Sequence, residues 1–308
     1  MSSSHPQLTG LIAAPYTAFH PDGRLNLATI ERQAASLIAN GVTGAFVCGT
    51  TGEGVSMTVA ERMQVAERWR QVAGPNLRII VHVGHTSLGD ARSLAAHAEK
   101  IAADGVSSLA PFFFKPANSH DLARFCAEVA TAAPSLPFYY YHIPSMSGVS
   151  LPAADFLRAA KPLIPNLAGV KFTFENLMDF AECLRLDGGR YDLIFGRDEI
   201  LVAGLSLGAR GAIGSTYNFM APIFREIIAA FDAGDLATAR TKQAQANAII
   251  EIFIRNGGLA AGKAIMKTIG LDCGPTRLPL RPLDEPQQAK LRDELQSAGF
   301  FNFPSITA

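Results

Sequence analysis

Short apolar runs alternate with longer stretches of helical period along most of this chain, and the alternation is regular. Residues 10–15, 44–49, 77–83, 106–110, 138–143, 167–172, 192–195 and 211–214 read as strands. Between them, residues 27–40, 59–72, 88–103, 121–133 and 153–160 carry apolar positions three and four apart, the signature of amphipathic helices. Thr58 with Glu61, and Ser87 with Asp90, have the spacing of N-terminal capping boxes. Asn40-Gly41 and Asp104-Gly105 offer the left-handed backbone that stops a helix. After Ala233-Gly234 the pattern is helical only, over 236–255, 259–269 and 284–298, with a Pro/Gly-rich stretch at 274–282.

Eight strand–helix units ending near Asp232 approach the length of about 250 residues typical of a (β/α)8 barrel. The expected fold is therefore α/β: a (β/α)8 TIM barrel over residues 1–232 that carries the site, and a C-terminal helical extension over 233–308. A doubly wound open sheet is the alternative, but no dinucleotide glycine fingerprint follows the first strand. The glycines of Gly49-Thr50-Thr51-Gly52-Glu53-Gly54 have the wrong spacing for one.

One residue breaks the pattern. Lys171 lies inside the apolar run 166–173, and period-2 alternation sets Gly169, Lys171 and Thr173 on one face with Ala168, Val170 and Phe172 on the other. A lysine facing a barrel interior must pair or lose its proton, because burial disfavours the charged form. A neutral amine near pH 7 is a nucleophile toward carbonyl carbon. A lysine reaching from a strand end to solvent is the competing reading.

Barrel enzymes assemble their sites at the C-terminal strand ends, and polar residues gather at those places. Strand two ends in Thr50 and Thr51, whose loop suits a carboxylate but also suits a helix N-cap. Strand five carries Tyr139, Tyr140 and Tyr141, and the run does not say which of them is functional. Asp198 and Glu199 follow strand seven, where a helix dipole also favours acids. Ser215 and Thr216 follow strand eight, where either a site or a cap fits. Each position is ambiguous alone; five strand ends converging around one lysine are not.

Composition narrows the field. The 308 residues are 48% hydrophobic with a formal net charge of +0, which supports a large core and gives no footprint for nucleic acid or an anionic membrane. No apolar stretch approaches the roughly 18–20 residues of a membrane span. The N-terminal Met1 to Gln7 segment lacks the basic and apolar regions of a signal peptide. The 4 cysteines form no CxxC pair, and the 7 histidines lack zinc-ligand spacing. A cytoplasmic protein acting on a small molecule is the expectation, with no metal.

The motifs Gly49-Thr50-Thr51-Gly52-Glu53, Tyr141-His142-Ile143-Pro144, Gly169-Val170-Lys171 and the run from Gly211 to Asn218 occur in the order of the dihydrodipicolinate synthase/N-acetylneuraminate lyase superfamily, which the chain resembles from Gly10 to about Pro282. The runs 110–116, 136–144 and 208–218 most resemble its animal-type sialic-acid-cleaving branch. The resemblance implies a class I aldolase that cleaves N-acetylneuraminate reversibly to N-acetylmannosamine and pyruvate. It implies a covalent Schiff base through Lys171 with no cofactor, and a homotetramer. It makes Tyr141 the proton-shuttling phenol, sets Thr50 and Thr51 at the pyruvyl carboxylate, and sets Thr173, Gly196, Asp198, Glu199 and Ser215 along the hydroxylated tail.

Two departures bear on activity. Met146 stands where dihydrodipicolinate synthases usually carry an arginine for the aldehyde's carboxylate. Phe113 stands where they use a tyrosine from a neighbouring subunit. The alternatives are another pyruvate-dependent aldolase or dehydratase, acting on a 2-keto-3-deoxy sugar acid or 4-hydroxy-2-oxoglutarate, and a non-catalytic sialic-acid or keto-acid binding protein.

Overall fold

Eight parallel strands follow one another in chain order and close on themselves in the computed structural model, which describes residues 7–303. They are β1 (Gly10–Ala13), β2 (Gly44–Val47), β3 (Arg78–His82), β4 (Gly105–Leu109), β5 (Phe138–His142), β6 (Leu167–Phe172), β7 (Asp192–Phe195) and β8 (Gly211–Gly214). Because β8 pairs with β1 as well as with β7, the sheet has no open edge. The expected (β/α)8 barrel is the fold. Most of the Met1 to Gln7 segment read above lies outside the described residues.

Alternation along the strands makes two apolar layers. Ile12, Phe46, Ile80, Tyr139, Ile194 and Ile213 fill the barrel interior. Their neighbours Ala13, Val47, Val81, Val106, Val170 and Phe195 face outward into the layer shared with the helices. β6 departs from strict alternation. Ala168 belongs to the inner layer, not to the outer face with Val170 and Phe172. The β5–β6 register jumps from Phe138 opposite Leu167 to Tyr139 opposite Gly169, so β6 carries one extra residue. Such a bulge reverses the faces on one side of it, which is why the alternation rule placed Lys171 correctly and Ala168 wrongly.

The helices in the barrel are α1 (Thr29–Ala39), α2 (Val59–Ala73), α3 (Leu88–Lys100), α4 (Ser119–Ala130), α5 (Pro144–Ser147), α6 (Ala153–Ala160), α7 (Leu177–Arg185), α8 (Leu201–Leu207) and α9 (Tyr217–Asp232). Three more follow: α10 (Leu236–Arg255), α11 (Leu259–Thr268) and α12 (Glu285–Ser297). Thr58 and Glu61 form the full capping box at α2. At α3 only half the expected box exists: Ser87 accepts from Asp90 N, while the Ser87 N–H donates to His85 Nδ1 at 2.9 Å. The shorter aspartate does not take that bond. Gly41 (φ 73) follows α1 as expected, but after α3 the left-handed residue is Ala102 (φ 54), not Asp104 or Gly105. Asp104 instead accepts from Ile79 N at 2.7 Å and pairs with Arg70 at 2.9 Å.

α10 packs along α9, and α12 packs against α10 and α11. Among the described residues, no helix is long and apolar enough to cross a membrane.

Candidate active site

Lys171 stands near the C-terminal end of β6, opposite Tyr141 on β5 and Ile194 on β7. It is 4% exposed, so a chain reaching to solvent is excluded. Its Nζ lies 3.9 Å from the centre of the Tyr141 ring and 4.1 Å from that of Phe46. Among the described residues it forms no ion pair. Burial pushes its pKa below the usual lysine range, with Tyr141 and then Asp198 pulling partly back. Two aromatic faces can accommodate an ammonium, but they replace only part of its lost hydration.

Tyr141 is the tyrosine of the run that the structure brings to the lysine. Tyr139 also faces inward, but its hydroxyl donates to Asp192 Oδ2 at the opposite end of the barrel, 3.1 Å away. Tyr140 faces outward against Phe156. The Tyr141 hydroxyl is 3.3 Å from Thr50 Oγ1, which joins the β5 and β2 exits. Thr50 and Thr51 occupy a tight loop after β2. Glu53 N donates to Thr50 O, Gly54 N to Gly49 O, and the Thr17 hydroxyl to Gly52 O. Cys48 (φ 60) and Glu53 (φ 54) flank the loop in left-handed backbone, a strain that persists only where the surroundings over-determine it.

On the opposite rim, Asp198 is 6% exposed, and its Oδ2 accepts from Thr216 Oγ1 at 2.6 Å and Thr216 N at 3.2 Å. Thr216 therefore ties the β7 exit to the β8 exit. The other oxygen, Oδ1, is buried and has no hydrogen-bond partner of good geometry among the described residues, although the Tyr217 hydroxyl is close enough to help lower the carboxyl's pKa. Gly214 makes room for this carboxylate, since a Cβ there would collide with it. Burial raises the Asp198 pKa to about 6, against the Thr216 hydrogen bonds and with help from Glu199. Thr173 Oγ1 is likewise buried and unpartnered, and it faces Gly196, where a Cβ would strike it. Ser215 is half-buried at the β8 exit. Glu199 stands further out, 3.9 Å from Arg197, which pairs with Glu175. The two departures are both exposed: Met146 at 63% on α5, and Phe113 at 75%, edge-on to Phe114.

Several residues around the site were not singled out from the sequence. His82 on β3 lies edge-on to Tyr141 with ring centres 5.7 Å apart, and Phe46 completes the aromatic wall. Burial, then the charges of Arg62 and Lys171, hold His82 well below the usual histidine pKa. It stands as a neutral imidazole with Nδ1 3.2 Å from Cys48 O. Arg62 is 1% exposed and donates to the carbonyls of Gly84 and His82, with no acid paired to it among the described residues. A signal was present: Arg62 shares the buried face of α2 with Val65, Ala66 and Trp69, where an arginine is as misplaced as Lys171 in its strand.

Beneath the Thr50–Thr51 loop, Glu53 pairs with Lys263 of α11 at 2.7 Å, both almost fully buried. Among the described residues, no group of three or more His, Cys, Asp or Glu side chains comes together to hold a metal. The arrangement thus presents a desolvated amine, a phenol beside its ring-stacked nitrogen, a hydroxyl-bearing loop, and unpartnered acceptors across the barrel mouth.

The chain is similar to known proteins along nearly its whole length. N-acetylneuraminate lyase of Rattus norvegicus is 41% identical, the match covering 99% of this chain and 97% of that protein. The solved structure of Proteus mirabilis N-acetylneuraminate lyase superposes with a TM-score of 0.93 at 45% identity, covering 96% of this chain and 100% of that one. A dihydrodipicolinate synthase from Cyanidioschyzon merolae superposes with a TM-score of 0.88 at 28% identity, covering 95% and 99%. The model of the dihydrodipicolinate synthetase family matches residues 7–298, and the chain belongs to that family.

Proposed function

We propose that this chain is a Schiff-base aldolase that cleaves N-acetylneuraminate reversibly to N-acetylmannosamine and pyruvate, using Lys171 and no metal or organic cofactor. The observation that carries the reading is the buried Lys171 amine, its pKa lowered and no carboxylate of the described residues paired with it, set against the Tyr141 ring. Such an amine is an available nucleophile, whereas one paired to an acid is not. The relatives named above, matched over nearly the whole chain, supply the substrate.

The steps follow from the chemistry of an imine. The Lys171 nitrogen adds to the keto carbon of the open-chain sugar acid, and water leaves to give a protonated imine. A proton is removed from the hydroxyl on the carbon β to the imine carbon. The electron pair of the adjoining carbon–carbon bond then flows to the imine nitrogen, releasing the aldehyde and leaving an enamine. Protonation of the enamine carbon and attack by water return pyruvate and the free amine. Tyr141 is the group assigned to move the hydroxyl proton, relayed with the substrate carboxylate. Thr50 and Thr51 hold that carboxylate. Asp198 Oδ1, Thr173 Oγ1, Glu199, Ser215 and the backbone at Gly196 receive the hydroxylated tail. Buried acceptors without partners reject an analogue that lacks the matching hydroxyl, which separates a long sugar acid from a short one.

The reading includes a homotetramer working in the cytoplasm, for which the exposed Phe113 and Phe114 and the four free, buried cysteines are the supporting features. The decisive assay feeds the purified protein N-acetylneuraminate beside 2-keto-3-deoxy sugar acids and 4-hydroxy-2-oxoglutarate, and measures pyruvate. Release from N-acetylneuraminate in preference to the shorter acids is expected. Turnover of a shorter acid alone would replace the substrate. Absence of any borohydride-trapped pyruvate adduct on Lys171 would remove the aldolase reading altogether.

A further inference from the structure

The C-terminal extension reaches both rims of the barrel mouth, and it does so through buried polar side chains. On the β2 side, Glu53 ends the Thr50–Thr51 loop in left-handed backbone, and both its carboxylate oxygens are held from the extension. Lys263 Nζ lies 2.7 Å from Oε1, and Arg277 N donates to Oε2 at 2.8 Å. Lys263 also donates to Pro275 O at 2.7 Å. The Arg277 guanidinium then grips Glu61 at the start of α2, the carbonyl of Ser56 at 3.1 Å and that of Gly23. On the β7 side, α10 supplies Gln243, which accepts from Val202 N at 3.2 Å and donates to Asp198 O at 2.9 Å. Asn247 donates to Glu199 O, also at 2.9 Å.

Packing alone does not require this. A helix covering a barrel needs apolar contacts, and α10 and α11 supply them through Ile249, Ile250, Ile265 and Met266. A buried ion pair such as Lys263–Glu53 is a poor source of net stability compared with apolar side chains of the same volume, because desolvation offsets its attraction. What it supplies is a fixed position. The Glu53 backbone is strained, and Glu53 lies two residues from Thr51 and three from Thr50, with its own N–H bonded to Thr50 O. The two clamps come from different segments of the extension: Lys263 and Arg277 hold Glu53, and Gln243 and Asn247 of α10 hold the Asp198–Glu199 backbone.

We propose that Lys263, through Glu53, is a positioning residue for the pyruvyl end of the substrate, and that Gln243, through the Asp198–Glu199 backbone, is a positioning residue for the aldehyde end. The extension thus sets the two halves of the site independently. This rests on the aldolase reading, since it takes Thr50–Thr51 and Asp198–Glu199 as the two substrate-binding rims.

The condensation direction separates the halves, because pyruvate and N-acetylmannosamine are then added independently. Lys263→Met is expected to raise KM for pyruvate about tenfold, the lower end of the loss seen when a residue that orients a binding group is removed, with KM for N-acetylmannosamine nearly unchanged. Gln243→Leu is expected to do the reverse, and Lys263→Arg to restore much of the pyruvate affinity. If Lys263→Met does not fold, Glu53→Gln, which weakens the same clamp while keeping an acceptor, is measured in its place. Both Michaelis constants moving together in either variant, or neither moving while thermal stability falls, would overturn the proposal and leave the extension as mere covering. Wild-type trapping of pyruvate on Lys171 is the control: its failure sinks the aldolase reading, whereas intact trapping with unsplit Michaelis constants sinks only this inference.

Discussion

Two lysines of this chain are buried to the same degree, Lys171 and Lys263 each 4% exposed, and they have opposite surroundings. Both ammonium groups lie over aromatic faces, Lys171 over Tyr141 and Phe46, Lys263 over Phe19. Burial lowers both pKa values. The difference is one carboxylate. Lys263 has Glu53 at 2.7 Å and a backbone carbonyl beside it, both of which favour its charged form against the burial. Lys171 has neither. On the proposed reading, burial by itself does not make a lysine a nucleophile; burial without a paired acid favours the neutral amine.

The same substitution at both lysines should have different consequences. Lys171→Met is expected to cut turnover by on the order of 10⁴ or more, the scale seen when a covalent nucleophile is removed, and to abolish trapping of pyruvate by borohydride. Residual activity near wild type would place the nucleophile elsewhere. Lys263→Met leaves Glu53 buried and unpaired, and should destabilise the fold by about 3–5 kcal/mol in urea unfolding. Adding Glu53→Gln removes the orphaned charge and should recover much of that loss; no recovery would mean that packing, not charge, is at stake.

The titration of Lys171 sharpens the contrast. Its folded-state pKa is lowered, so the neutral amine appears at lower pH than for a free lysine, and the trapping rate should rise with pH and level off below about 10.4, the ordinary lysine value. Between the folded and unfolded pKa values the unfolded state binds the proton more, so the stability penalty for burying this lysine is fully present below the folded pKa, fades as pH rises from there, and is gone above the unfolded pKa. A trapping rate still climbing at the ordinary value would mean that burial does not activate the amine. The smallest effect is the most diagnostic. At neutral pH Lys171→Met should leave stability unchanged or raise it by about 1 kcal/mol, since an unpaired buried polar group is exchanged for an apolar one. The same change thus has opposite signs at the two positions, and loss of stability at both would erase the distinction.

Much of this was legible along the chain because it depends on local spacing. The barrel followed from eight apolar runs and the helices between them, and Thr58 and Glu61 announced the cap of α2. Lys171 announced itself as a charge in an apolar strand. The failures have equally local causes. The extra residue in β6 moved Ala168 to the inner layer, and Ala102 took the left-handed position that Asp104 and Gly105 were expected to supply. Lys263 and Arg62 lie on helices, where one charged residue among several draws no notice until the face it occupies is found to be buried.

Eight strand–helix units, a lysine within one of them, and hydroxyls and carboxylates after several strands can all be read along the chain. These are properties of neighbours in the chain, set by side-chain period and by turn chemistry. Strand period left all three tyrosines open, and the folded barrel is what sets the Tyr141 ring against Lys171, pairs Lys263 with an acid while Lys171 has none among the described residues, and brings the last helices to both rims of the mouth. Those facts depend on contacts between residues far apart in sequence, Glu53 with Lys263 or Asp198 with Gln243, and closure of the barrel is what brings them together.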